Sequence, residues 1–359
     1  MKYVHKVSLM IHTASYDNFL DCHGIKSYFK ALLANLQRQN MHEFELIYVD
    51  TFYDENREKF DSYLPGLKFI VKHIPVHESH RYWYDKGYTY ISAAKNTGIL
   101  HADGELCITC DDAEFFPDDF IHRYWRHYKN GFLMLGMHNR MKKIKVHGDI
   151  PAFPLSGEIY VNDHRIEQVK SAIGKKASKT YQHTNGSWAF AGTSFGLVDA
   201  LELNGFNEKM DGCKSLEDCD FGTRLQLIGK KFIQDMNGIF YIVDHPSYSE
   251  MNPTNWEEGK DCQKTLLDIK PTKKKIDNLI AIENYGMYRC GIELKETKAN
   301  FNPITSKHLE IIKRETLHYR KFDPLSPDNA EKFEIWKNVP TFDLKKQRED
   351  LRKSPTWRW

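Results

Sequence analysis

Asp111, Asp112 and Glu114 crowd into four positions directly after Glu105-Leu-Cys-Ile-Thr-Cys110, an apolar run that reads as a buried strand. Carboxylates so close repel one another unless a cation sits among them. Hard divalent ions such as Mg²⁺ or Mn²⁺ take oxygen ligands and commonly share them with substrate phosphates. The same residues also read as a solvated acidic turn before a helix opened by Pro117, Asp118 and Asp119. A second cluster, Glu217, Asp218 and Asp220, begins a run of helical spacing. A helix N-terminus favours ionised carboxylates, which suits a catalytic base and suits simple N-capping equally well.

Single residues add to these clusters. Asp50 ends the strand-like run Phe44–Val49 and is a turn residue or a ligand contact. Lys95 and Asn96 lie in a helical stretch just ahead of the acidic strand end, where a lysine contacts phosphate or faces solvent. His245, after the run ending at Val243, could reach a metal through a ring nitrogen. Trp188 could stack on a sugar ring or fill a core. Cys107 and Cys110 have C-x-x-C spacing, but residues i and i+3 of a strand face opposite ways. They are expected to be buried free thiols.

The elements that must position these groups alternate. Strands are expected over 6–12, 44–50, 67–74, 105–110, 132–137 and 239–243, and a strand or hairpin arm over 187–198. Helices are expected over 25–39, 89–101, from Pro117 onward, and over 217–228 with Gly229 as its stop. This order argues for an α/β unit with a mostly parallel sheet between helices, a Rossmann-like arrangement. In such sheets ligands collect at the carboxyl ends of the strands, where Asp50 and Asp111 fall. Residues 138–186, with Gly148, Pro151, Pro154 and Gly157, read as a long irregular excursion. Residues 1–250 are expected to form the catalytic unit. Residues 251–359 form a mainly helical, basic extension, with helices over 306–321 and 343–352.

Composition excludes several classes. Apolar residues at 41% and charged residues at 28% describe an ordinary globular chain. No run approaches a membrane span, and the amino end lacks a signal-peptide pattern, so a cytoplasmic protein is expected. Seven scattered cysteines make no disulfide framework. The net charge is +2, yet thirteen basic against nine acidic residues follow Asn300 onward. Further basic segments are Arg140–Lys145, Lys175-Lys176 and Lys273–Lys275. They suit an anionic acceptor (a polysaccharide, a phosphate-bearing polymer or nucleic acid) or simply a solvated surface. No nucleic-acid-binding module pattern is present.

Taken in order, these pieces resemble the family-2-type glycosyltransferases of GT-A fold. Val7-Ser-Leu-Met-Ile-His-Thr13 is similar to that family's first strand, and Glu45-Leu-Ile-Tyr-Val-Asp50 to its second. Ala93-Ala-Lys-Asn-Thr-Gly-Ile99 with Ala102-Asp-Gly-Glu105 is similar to the stretch leading into the metal motif. Asn204-Gly-Phe-Asn-Glu208 with Glu217-Asp218-Cys-Asp-Phe-Gly-Thr-Arg-Leu225 is similar to the acidic motif on the acceptor side. His12 replaces a frequent proline, Thr51 a frequent second Asp, and Ala113 an acid.

The resemblance implies a nucleoside-diphosphate sugar donor, with UDP favoured, and a divalent cation, Mn²⁺ or Mg²⁺. It implies transfer with inversion onto an acceptor hydroxyl, with Asp218 as base. Thr13, Asp50, Lys95 and Asp111 would contact the donor. Asp112 and His245 would hold the metal, and Glu114, Glu217 and Trp188 would be further metal or acceptor contacts. The rival expectation is a GT-A-like protein that binds nucleotide or glycan without turnover.

Overall fold

Continuous apolar runs suit strands covered on both faces, and four of them form β1 (His5–Thr13), β2 (Phe44–Asp50), β3 (Ile70–Pro75) and β4 (Gly104–Cys110). The computed structural model describes residues 3–14, 19–53, 65–86, 90–174, 179–183, 191–208, 211, 217–243, 338–340 and 342–354. The four strands are parallel in the order β3-β2-β1-β4, as expected of a βαβ chain. Their register sets Thr13 beside Asp50 and Asp50 beside Pro75. Ile11 lies beside Cys110.

Three helices cover the sheet. In α1 (Tyr28–Leu36) the Ser27 side chain accepts from the Lys30 amide at 3.3 Å, so the helix starts later than its apolar spacing suggested. α2 (Ile91–His101) is buried at every residue but the first, and so has no face turned to solvent. Gly98 lets it lie close on β1: an added Cβ would come within 3.0 Å of Met10 Sδ. α3 (Phe120–Lys129) buries Phe120, Ile121 and Tyr124 and exposes its basic side.

The second half is more regular than its sequence suggested. It contains β5 (Glu114–Phe115), β6 (Phe132–Met134), β7 (His138–Lys142), β8 (Val146–His147), β9 (Ile150–Pro151), β10 (Glu158–Asn162) and β11 (Thr180–His183). β12 (Thr193–Gly196), β13 (Lys231–Asp235) and β14 (Phe240–Val243) complete the described strands. The helices here are α4 (His164–Ile173), α5 (Leu197–Glu202) and α6 (Glu217–Leu227). β12 joins β4 antiparallel, and a separate four-stranded sheet runs β10-β7-β14-β5. Residues 138–174 are therefore not an irregular excursion. Their strands are short and half-exposed, with Met141 the one fully buried residue of β7, so no long apolar period marks them. The strand expected to reach Val198 stops at Gly196, where α5 takes over.

Residues 251–337, including the helix expected over 306–321, lie outside the described residues. α7 (Leu344–Lys353) buries its Leu344 and Arg348 against the sheet domain. Among the described residues no helix is long and apolar enough to cross a membrane.

Candidate functional site

The parallel strands end on one edge, and the acidic turn after β4 rises beside the end of β1. Thr13 Oγ1 donates to Asp112 Oδ2 at 2.9 Å. His12 Nε2 lies 3.0 Å from Asp111 Oδ1, with the Asp111 side chain half-exposed. Partial burial works against ionisation of Asp111. The His12 hydrogen bond and charge, with Lys95 and His138 behind them, outweigh it and hold the carboxyl well below the usual range. Ala113 follows with φ 62°, in the left-handed region, and is fully buried. Its carbonyl accepts from the Val243 amide at 2.9 Å, which ties the turn to β14. The methyl therefore occupies the core, and an acid at this position would be buried with it.

The second acidic group reaches the same place through α2. Lys95 Nζ lies 3.0 Å from Glu217 Oε1, and both side chains are buried. Burial opposes the Lys95 charge, but Glu217, Asp111 and Asp218 together push the ammonium above the usual lysine range. One cation thus sits in the field of the acids after β4 and of those opening α6. Its ammonium also lies 5.0 Å from the centre of the Phe206 ring. Asp218 is buried in the first turn of α6.

The frame around this cation is polar and long-range. Asp211 accepts from the Ser92 and Ala93 amides at 2.8 and 3.0 Å, supplying the acidic cap that α2's own sequence lacks. Asn96 donates to the Phe206 carbonyl at 2.9 Å and accepts from its amide at 2.8 Å. Arg224 of α6 donates to the carbonyls of Leu203 and Gly205, each at 2.8 Å. The turn at Asn204–Glu208 is thereby fixed between α2 and α6.

Two expected site residues are turned elsewhere. Asp50 is fully buried, 2.8 Å from His73 Nε2 and accepting from the Phe52 amide at 2.9 Å. Glu114 has no exposed surface, because its strand pairs with β14 and turns the side chain inward. Burial and the nearby Asp111 charge push its carboxyl well above the usual range. Trp188 and His245 lie outside the described residues. Cys107 and Cys110 are free and buried, and burial pushes both thiols up, away from nucleophile or ligand chemistry.

Sequence reasoning missed His138, at the start of β7. Burial lowers it to about 4, and the charge of Asp111 reaches it. No periodicity marks such a residue; only the pairing of β7 with β14 brings it in. Of the basic segment Arg140–Lys145, Lys142 and Lys143 pair with Glu158 at 3.3 and 3.0 Å. One carboxylate thus offsets part of the charge of that segment.

Among the described residues no group of three or more His, Cys, Asp or Glu is arranged to hold a metal alone. Asp111 and Asp112 nevertheless offer hard oxygen donors at the carboxyl edge of the parallel sheet. That fits Mg²⁺ or Mn²⁺ held by one or two carboxylates with substrate oxygens.

No family model matches the chain, and no curated protein matches it. Among solved structures, S. aureus TarS is similar with a TM-score of 0.46 at 12% identity, over 98% of this chain and 56% of that one. TarS 1–349 in complex with UDP-GlcNAc gives 0.44 at 14% identity, over 98% and 93%. Mannosyltransferase PcManGT from Pyrobaculum calidifontis, in complex with GDP-Man and Mn²⁺, gives 0.42 at 11% identity, over 97% and 79%. This chain thus spans 56% of the length of TarS. Likeness at this level transfers neither fold nor chemistry.

Proposed function

We propose that the protein is a GT-A-type glycosyltransferase that moves a hexose from a nucleoside diphosphate, UDP favoured, to an acceptor hydroxyl with inversion. The observation that carries this reading is the Lys95 ammonium, held 3.0 Å from Glu217 in the field of Asp111 and Asp218. A buried cation between two carboxylate groups, at the carboxyl edge of a parallel sheet, suits a diphosphate that must be bound and released.

In this reading Asp111, Thr13 and Lys95 contact the donor. Asp50 serves it indirectly by holding His73. Asp112, with Asp111, would hold Mn²⁺ or Mg²⁺, whose chemistry is to offset charge on the leaving diphosphate. Asp218 accepts the proton of the attacking hydroxyl. An unperturbed Asp has a pKa of about 3.9, whereas bulk water lies near roughly 15.7. The carboxylate therefore cannot ionise the nucleophile beforehand and takes its proton late, as the new C–O bond forms. Positioning then supplies much of the rate. A single base opposite one leaving group suits one in-line displacement, hence inversion.

The second reading, a GT-A-like protein that binds without turnover, draws on Ala113 in the acidic turn. Its buried methyl weakens that support, because the cleft-facing acids are its neighbours. Release of nucleoside diphosphate from a panel of UDP- and GDP-sugars with Mn²⁺ separates the two. Turnover of one donor supports the enzyme; donor binding without release of nucleotide supports the binding protein.

A further inference from the structure

Arg348 and Ile99 lie 249 residues apart in sequence, yet the arginine closes the helix to which Ile99 belongs. Its Nη1 donates to the carbonyls of Ile99 at 3.0 Å and Leu100 at 2.5 Å. Its Nη2 donates to the Ala102 carbonyl and lies 3.1 Å from Asp103 Oδ1. These carbonyls are among those a helix leaves without partners, at the negative end of its dipole. A planar guanidinium with several donors serves them together.

Two further contacts carry α7 to the other side of Lys95. Gln347 Oε1 lies 3.0 Å from His80 Nε2, and His80 Nδ1 meets Glu208 Oε1. Glu208 Oε1 also accepts from Asn96 Nδ2 at 2.8 Å, and Asn96 is the chain neighbour of Lys95. Asn204 accepts from the Leu344 amide at 2.7 Å and donates to the Phe342 carbonyl at 2.6 Å. Beside it Gly205, with φ +68°, is wedged so closely that an added Cβ would collide with Asn96 and Leu344.

A helix advances about 1.5 Å and turns about 100° per residue, so a slide of one residue carries every side chain off its partner. A hydrogen bond of ordinary length tolerates only a few tenths of an ångström. We propose that α7 belongs to the framework of the candidate site. Arg348 is a positioning residue that, acting through α2, keeps Lys95 on Glu217. The consequence for turnover rests on the glycosyltransferase reading; the placement of Lys95 does not.

The test is pulsed acetylation of the full chain with acetic anhydride, read at Lys95 by mass spectrometry. Lys129, exposed on α3, serves as the internal standard. In the wild type Lys95 reacts far more slowly than Lys129. Arg348→Met accelerates Lys95 by about tenfold or more through loosening of α2, leaves Lys129 unchanged and keeps a cooperative melt. Arg348→Lys, which can reach some of the carbonyls, gives an intermediate rate. If Arg348→Met does not fold, Arg348→Lys carries the test, because it removes part of the cap on α2 and must still accelerate Lys95 relative to the wild type. Unchanged Lys95 labelling in whichever variant folds overturns the proposal. UDP titration with Mn²⁺ on the same proteins keeps the two claims apart. Faster labelling with weaker UDP binding supports the positioning role within a nucleotide site. Faster labelling in a protein whose wild type binds no UDP keeps the positioning role and removes the nucleotide reading.

Discussion

Lys95 Nζ and Glu217 Oε1 meet at 3.0 Å with almost no exposed surface, joining the helix before β4 to the helix that carries Asp218. Breaking a buried pair from one side strands the other charge, which costs roughly 3–5 kcal/mol. Lys95→Met leaves Glu217 buried without its partner and removes the cation whose charge Asp111 and Asp218 also feel, and falls in that range. Glu217→Gln is milder, because Lys95 keeps two other acids. The double variant recovers part of the Lys95→Met loss. Urea unfolding of the four proteins measures the cycle, and strict additivity would rule out the coupling.

Ala113→Asp restores the acid that the resemblance leads one to expect, yet it is predicted to harm the protein. The side chain would enter the core from a left-handed residue and bury a carboxylate without a partner. A loss of about 3 kcal/mol or more is expected, with no gain in affinity for Mn²⁺. A drop in the urea midpoint checks the first part, and calorimetric Mn²⁺ titration the second.

His138 provides a pH signature. Burial lowers it from 6.5 to about 4, so between those values the unfolded chain binds the proton that the folded protein refuses. Stability carried by neutral His138 is therefore lost as pH falls from about 6.5 towards 4. Glu114, raised by burial, acts in the opposite sense above its unfolded value, so the total slope mixes both. The difference between wild type and His138→Gln isolates one group. From pH 7.5 to 5 the wild type should lose roughly 2 kcal/mol more than the variant. Parallel pH profiles would show that His138 does not titrate in this way.

Gly205→Ala tests the turn that holds Asn96. The position combines a φ of +68° with collisions against Asn96 and Leu344. A loss of about 2 kcal/mol or more is expected, seen as a lower melting temperature.

The first half of the fold was legible because β2 is buried at every residue and β1 and β4 nearly so, which writes strands as unbroken apolar runs. β7 and β10 were not, because strands this exposed, β10 paired with β7 and β7 with β14, carry no such run. The acids at 111, 112, 217 and 218 were legible as residue types at element ends. Their relation was not, since it passes through one lysine on a helix that sequence reads as ordinary. Asp50 and Glu114 have the right chemistry, but burial turns them to His73 and the core. Arg348 sits in a strongly charged helix where sequence offers no reason to separate it from its exposed neighbours.

Asp218→Asn is the most direct test of the account. The variant should bind UDP with Mn²⁺ as the wild type does, while sugar transfer falls by about a thousandfold or more. Transfer at the wild-type rate by the folded variant would contradict the assignment of Asp218 and the cleft built around it.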